Sequence, residues 1–165
     1  MSNKRLYYTF NQFLRERFGF KVRKISINAG FTCPNRDGTI GYGGCIYCYN
    51  PGFSPYTSVD SKTIREQIQY GKSQLKNRGF KGKFLAYFQA YTNTYAPIET
   101  LKRLYDEAFE DSEIIGLAIS TRPDCVSDEV ISLLEEYAKK THVWIEYGLS
   151  LIHISEPTRP LYISY

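Results

Sequence analysis

Residues 83–120 read KFLAYFQAYTNTYAPIETLKRLYDEAFEDSEIIGLAIS, and their reading decides the fold. The two ends, Lys83 to Gln89 (KFLAYFQ) and Ile114 to Ser120 (IIGLAIS), are short apolar runs that suit strands buried on both faces. Between them Pro97 stands at the first position of a predicted helix. Ile98, Leu101, Leu104, Tyr105, Ala108 and Phe109 share one face of that helix, which runs to about Glu110. A crossover of this length cannot be a hairpin, so the two strands pair in parallel with a helix against the sheet.

The same alternation extends in both directions. Asp60 to about Leu75 places Ile64, Ile68, Gly71 and Leu75 on one helical face, with Asp60 or Ser61 as the cap. Before it, Val22 to Asn28 (VRKISIN) alternates polar and apolar residues, as a strand with one wetter face does. A long Gly- and Pro-containing loop, Ala29 to about Val59, separates the two. Downstream, Ser127 caps a third helix carrying Val130, Leu133, Leu134 and Tyr137, and Val143 to Leu149 (VWIEYGL) supplies a fourth strand. A further helix, Tyr8 to Phe18, precedes the first strand. The expected fold is α/β, with a βαβαβαβ order and helices outside a parallel sheet.

At 165 residues the chain is one domain or part of one. Its hydrophobic share of 42% and aromatic share of 16% supply a core and exclude a disordered tail. The net charge of +4 permits an anionic partner without requiring one. Lys72, Lys76, Arg78, Lys81 and Lys83, interleaved with Phe80 and Phe84, read as a solvated helix end before a phosphate-tracking surface. No apolar run approaches the roughly 18 residues of a membrane span. The first twenty residues, MSNKRLYYTFNQFLRERFGF, lack the apolar core of a signal peptide, so a cytoplasmic location is expected. Four cysteines in such a chain point to metal, cluster or redox chemistry before disulfides.

Three of them, Cys33, Cys45 and Cys48, lie in CPNRDGTIGYGGCIYC, directly after the first strand. Gly38, Gly41, Gly43 and Gly44 let this backbone fold back on itself. Thiolates at such spacing select zinc or an iron–sulfur cluster. A structural zinc site takes four protein ligands, whereas the loop supplies three and Cys125 lies far along the chain. Three thiolates on a four-iron cluster leave one iron open to a substrate or cosubstrate. In β/α barrels, loops at this end of the strands carry the active site.

The pattern C-x11-C-x-aromatic-C resembles the radical S-adenosylmethionine (SAM) superfamily, in its long-loop clade related to the Elongator catalytic subunit. TCPNRDGTIGYGGCIYC, YFQAYTNTYAP, STRPDCVSDEV and VWIEYGL together are similar to the YhcC-type subfamily, from about Tyr7 to Gly148. The resemblance implies a partial (β/α)6 barrel, truncated here after about four strands. It implies a [4Fe–4S] cluster on Cys33, Cys45 and Cys48, with SAM as the second cofactor. Reductive cleavage of SAM then gives methionine and a 5′-deoxyadenosyl radical that abstracts hydrogen from a substrate. A reductase such as flavodoxin or ferredoxin would supply the electron, and the clade suggests transfer RNA as the substrate class. The competing expectations are a zinc- or cluster-stabilised binding module without radical chemistry, and an inactive fragment of the enzyme.

By the same resemblance Tyr47 packs near the SAM adenine, or else is a plain core tyrosine. Gln89 and Asn93, after the second strand, contact the methionyl amine, or else are ordinary turn residues. Ser120 and Arg122, with Thr121 and Asp124 at the end of the third strand, bind the ribose or carboxylate of SAM, or form a simple capping turn. Glu146, a carboxylate in an otherwise apolar strand, faces the barrel interior and contacts a ligand, or closes an internal salt bridge. Cys125 reads as a buried unreactive thiol and His142 as an exposed residue.

From Leu149 the pattern changes. Leu149 to Arg159 (LSLIHISEPTR) resembles eleven consecutive translated codons of a transposon-end sequencing adapter. Authentic sequence is therefore expected to end near Gly148, leaving residues 1–148 as the N-terminal part of the core domain and 149–165 as a non-native tail. His153, Glu156 and Arg159 carry no functional weight on that expectation.

Overall fold

A computed structural model of the chain describes residues 7–45, 48 and 63–148. The elements are α1 (Phe10–Phe18), β1 (Val22–Ile27), α2 (Ile64–Asn77), β2 (Lys83–Phe88), α3 (Ile98–Ala108), β3 (Ile114–Thr121), a 3-10 turn (Pro123–Cys125), α4 (Asp128–Ala138) and β4 (His142–Tyr147). The four strands form one sheet in the order β1-β2-β3-β4, every neighbouring pair parallel. This is the α/β architecture expected from the alternation of buried strands and amphipathic helices. The segment from Leu149 onward, the proposed caps Asp60 and Ser61, and Tyr47 lie outside the described residues.

Side chains alternate across each strand, so the sheet has two distinct faces. On one, Ile25, Ile27, Phe84, Ala86, Phe88, Leu117 and Ile119 meet Ile64 and Ile68 of α2, Leu101 and Tyr105 of α3, and Val130, Leu133 and Leu134 of α4. Burying a side chain of this size contributes roughly 1.5–3 kcal/mol, so this layer dominates the stability. On the other face Val22 and Leu85 pack against Leu14 of α1, flanked by Phe10, Phe13, Phe18 and Ile115. Because α1 covers only the strand beginnings, the strand ends on that face are left to polar side chains.

Local signals set the helix starts. Thr63 begins α2 with a capping box: its hydroxyl accepts from Glu66 N at 3.2 Å while its own N–H donates to Glu66 Oε2 at 2.8 Å. Ser127 caps α4 as its sequence suggests. Pro97 sits one position earlier than expected, at the N-cap of α3, where its carbonyl accepts from Thr100 and Leu101. Gly71 brings α2 close onto β1, since a Cβ there would stand 2.5 Å from Ile25 Cγ2.

Two side chains depart from their sequence expectation. Lys72 is buried, not solvated, with Asp111 Oδ2 at 2.6 Å and Glu113 Oε2 at 2.5 Å. This ties α2 to the turn before β3. His142 is half-buried among the rings of Phe13, Phe18 and Trp144, so its ring serves as packing surface.

Candidate functional site

The cysteine loop leaves the sheet from a closed strand end. Gln67 of α2 accepts from Asn28 N and donates to Asn28 O, both at 2.8 Å, replacing the partner strand that β1 lacks there. The chain then winds on itself. Arg36 N and Asp37 N donate to Cys33 O, Ile40 N and Gly41 N to Pro34 O, and Gly44 N to Asn35 O. Gly44 has φ +85°, a conformation in which any other residue would be strained, and a Cβ on it would push Arg36 Nη1, 2.7 Å away, aside. Arg36 crosses the loop, donating from Nη1 to Gly43 O at 3.1 Å.

Each predicted ligand sulfur has a nitrogen-bearing side chain near it. Asn35 Nδ2 is 3.1 Å from Cys45 Sγ, Arg122 Nη1 is 3.9 Å from Cys33 Sγ, and the Arg36 guanidinium acts on the thiol of Cys48. Burial pushes the Cys48 thiol up, Arg36 opposes it, and Cys45 and Cys33 push it further in the same direction. The sulfurs thus lie within electrostatic reach of one another. They do not converge: among the described residues no three His, Cys, Asp or Glu side chains are gathered closely enough to hold a metal ion. In kind the donor set is three soft sulfurs on one glycine-rich loop, the chemistry that an iron–sulfur centre takes. Cys125 is half-buried, its thiol pushed up to about 11 by burial and by Asp124 beside it.

The ends of β2 and β3 brace this loop. Ala90 and Tyr91, neither a glycine, take φ of 74° and 64°, a left-handed pair that costs of order 1–3 kcal/mol per residue unless held. Asn93 holds it. Fully buried, its Nδ2 donates to Ala90 O at 3.1 Å and Ser120 O at 2.8 Å, with Tyr91 O at 3.5 Å. Three surrounding carbonyls fix which way the amide points, and Oδ1 meets no donor among the described residues. Tyr105 OH donates to Asn93 O at 2.6 Å, and Thr94 bonds both Thr121 Oγ1 and Cys125 O. The turn then reaches the cysteine loop: Thr92 N donates to Thr32 O, Thr39 and Tyr95 share a hydroxyl bond of 2.9 Å, and the Arg36 guanidinium lies 5.0 Å from the Tyr91 ring centre.

The other predicted site residues gather at the same strand ends. Gln89 Nε2 donates to Ser26 Oγ at 2.7 Å, and Ser120 is paired in register with Glu146. Glu146 takes the Lys24 ammonium on Oε1 and the Tyr87 hydroxyl, at 2.7 Å, on Oε2. Burial works against its charge, but these two partners outweigh it and hold the carboxyl below its ordinary range. Glu146 therefore closes an internal salt bridge on the polar half of the α1-side face. Arg122 has its planar fork filled by Asp124, through Nε–Oδ1 at 2.9 Å and Nη2–Oδ2 at 2.6 Å, leaving Nη1 toward Cys33.

Sequence reasoning passed over Asn35, Arg36, Lys24 and Tyr87. The first two stood in the quoted loop, two and three residues after Cys33, where uncharged turn residues suffice; their polarity was the available signal. Lys24 and Tyr87 share the parity of Ser26 and Gln89 on their strands, and that parity could have placed them beside Glu146.

No family model matches the chain. It is 40% identical to YtqA of Bacillus subtilis over 147 residues, 89% of this chain and 46% of that protein. To YhcC of Escherichia coli K12 it is 42% identical over 154 residues, 93% of this chain and 48% of that protein. To MJ0486 of Methanocaldococcus jannaschii it is 36% identical over 151 residues, 90% of this chain and 45% of that protein. The chain spans about half the length of the curated relatives it matches.

Proposed function

We propose that this chain is the cluster-binding part of a radical SAM enzyme, its four parallel strands being the first four of a partial (β/α)6 barrel. The observation that carries the proposal is the presence of Cys33, Cys45 and Cys48 on one loop at the C-terminal end of β1, with Asn35 and Arg122 nitrogens toward two of the sulfurs, braced by the turns after β2 and β3. Bound there, a [4Fe–4S] cluster and SAM would supply the reducing electron and the 5′-deoxyadenosyl radical.

The chain's own residues orient and shield. Cys33, Cys45 and Cys48 would hold the iron, and Tyr47, next before the last ligand in sequence, is the residue assigned to the adenine. Asn93 holds the left-handed turn, and it and Gln89 would serve the methionyl end. Ser120 and the Arg122–Asp124 pair present a hydroxyl and a preset charge pair to the remaining polar groups of SAM. Glu146, with Lys24 and Tyr87, keeps the sheet face beneath polar and internally neutralised. The substrate class to test first is transfer RNA, and flavodoxin or ferredoxin are the donors to try. Both are proposals for a protein of the relatives' length, about half of which this chain spans.

The test is anaerobic reconstitution with iron and sulfide, followed by EPR of the reduced protein with and without SAM. About four irons per chain and a spectrum shifted by SAM is the expected result. Zinc held instead of iron, and weakened by Cys125→Ser, would point to a four-sulfur structural site, for which Cys125 lies within electrostatic reach of Cys33. Iron with no response to SAM would refute radical chemistry.

A further inference from the structure

We infer that the α1-side face of the sheet, where the strands begin, binds the phosphate backbone of a single-stranded nucleic acid. A cleft of about 480 Å³ opens there between the end of α1 and the end of α4, walled by Arg17, Phe18, Ile115 and the run from Lys139 to His142. Among the described residues no carboxylate lines it, and it brings Arg17, Lys139 and Lys140 together. The charge continues along the strand starts. Lys83 is in register with Val22 and shares the α1-side face with Leu85. Its N–H donates to Lys21 O at 3.0 Å, and its Nζ donates to Ser112 O at 3.3 Å, just before the β3 residue Ile115 that walls the cleft.

The acidic groups near these strand starts are engaged elsewhere. Asp111 and Glu113 turn to Lys72 and Lys76 of α2, which packs on the other face, and Glu16 bonds Tyr8 and Gln12. Of the five cations only Lys139 has a carboxylate, Glu135 at 3.1 Å, in a pair about two-thirds exposed that solvent screens. Opposing a helix dipole accounts for Arg17, in the last turn of α1, but not for Lys21 or Lys83, which lie outside any helix.

The cations extend from the start of β1 to the start of β4, three interstrand spacings or about 14 Å. That is wide for one phosphate and suits several in succession. Phe20 stands 42% exposed beside them, its ring stacked on Phe18 at 6.0 Å, and Phe18 lines the cleft. An exposed ring beside a row of cations serves unpaired bases and their phosphates together, whereas a small anion has no use for the ring. The surface lies at the opposite end of the strands from the cysteine loop, so the inference stands apart from the chemistry proposed there.

The experiment is fluorescence anisotropy of a labelled single-stranded RNA of about 20 nucleotides titrated with the full chain, without iron, across about 50–200 mM salt. For a single strand the log–log salt slope is about −0.7 per phosphate contact, so each contact is worth about fivefold at 0.1 M salt. Lys21→Gln/Lys83→Gln/Lys140→Gln should therefore bind about a hundredfold more weakly, with a slope shallower by about 2. The charge-matched Arg65→Gln/Lys102→Gln/Arg103→Gln, at exposed positions of α2 and α3, should bind as wild type does. Phe20→Leu should weaken the RNA and leave inorganic polyphosphate unaffected. Equal losses from the two triple variants, no loss from either, or no binding of RNA by wild type overturns the inference. Polyphosphate bound as tightly as RNA, with Phe20→Leu silent, makes this a general polyanion surface and overturns the nucleic-acid reading. Capture by phosphatidylcholine–phosphatidylserine vesicles in preference to RNA overturns it in favour of a membrane surface. Thermal melting checks each variant; if the first triple variant is unfolded, Lys140→Gln alone decides, with a loss of about fivefold expected and an unchanged affinity overturning the inference. None of these measurements involves a cluster, so their failure is distinct from failure of the proposed function.

Discussion

Replacing Asn93 with aspartate tests whether the left-handed turn after β2 is held as described. The substitution keeps the shape and exchanges the only donor group of the side chain for an acceptor. In the native turn that group serves Ala90 O at 3.1 Å and Ser120 O at 2.8 Å, in a fully buried position. A buried carbonyl deprived of its donor costs about 1–3 kcal/mol, so the two short bonds set a loss of about 4 kcal/mol. At roughly 4 °C per kcal/mol for a domain near this size, thermal unfolding followed by circular dichroism should shift down by about 15 °C at pH 7. The penalty should depend on pH with a definite sign. A protonated carboxyl can return one O–H donor, so the buried aspartate's pKa is raised in the folded state. Asn93→Asp is therefore least destabilised below the ordinary aspartate pKa of about 3.9 and loses further stability as pH rises through its raised folded value. A loss under about 1 kcal/mol, or a deficit that stays constant from pH 4 to pH 8, would refute the bracing role of Asn93.

Two ion pairs give further tests. Lys72→Met should cost about 2 kcal/mol, because Asp111 and Glu113 lose their buried cation while Gln69 and Lys76 still reach them. Burial opposes the charge of Lys72, but those carboxylates outweigh it and raise its pKa, while both carboxyls are held low. The difference from wild type should therefore persist through neutral pH, fade as pH falls through the folded carboxyl values, and fade again as pH rises through the raised lysine value; denaturant midpoints across pH 2–11 would show it. Glu146→Gln should cost about 1 kcal/mol, since Lys24 and Glu146 are a quarter to a third exposed and solvent screens the pair. Glu146 is lowered in the folded state, so its contribution is present above the ordinary glutamate pKa of about 4.3 and lost as pH falls through the lower folded value; the two melting curves should converge in acid.

Nearly all of the fold was legible in the sequence because its signals are local. Apolar runs at 83–89 and 114–120 specify buried strands, and the helix between them carries one apolar face, so the parallel pairing follows. Boundaries shift by a few residues: Pro97 moves one place to the N-cap, α1 starts at Phe10 and not Tyr8, and α2 is capped by Thr63 and not by Asp60 or Ser61. What escaped depends on contacts across the chain. Lys72 looks like one of several surface lysines until Asp111 and Glu113, 39 and 41 residues away, are brought under it. His142 reads as the exposed start of an apolar strand, because the rings that cover it, Phe13 and Phe18, come from α1. For the site, the cysteines were conspicuous by type and spacing. The donors Asn35 and Arg36 were hidden in plain view, since nothing in their spacing says which way they turn. The left-handed pair Ala90–Tyr91 is invisible by design of the amino-acid code: no glycine marks it, and the side chain that permits it comes two residues later.

The strand order carries a consequence for how such a chain is made. Each strand lies beside the one immediately before it in sequence, so every pairing decision is taken against a partner that has already left the ribosome. Beyond the long connection from β1 to β2, loop closures stay short, and the entropy of bringing segments together is met in instalments and not all at once. The sheet can grow vectorially, one βα step after another. The cysteine loop follows the first strand, so by the time the turns that brace it emerge its β1 anchor is already in place.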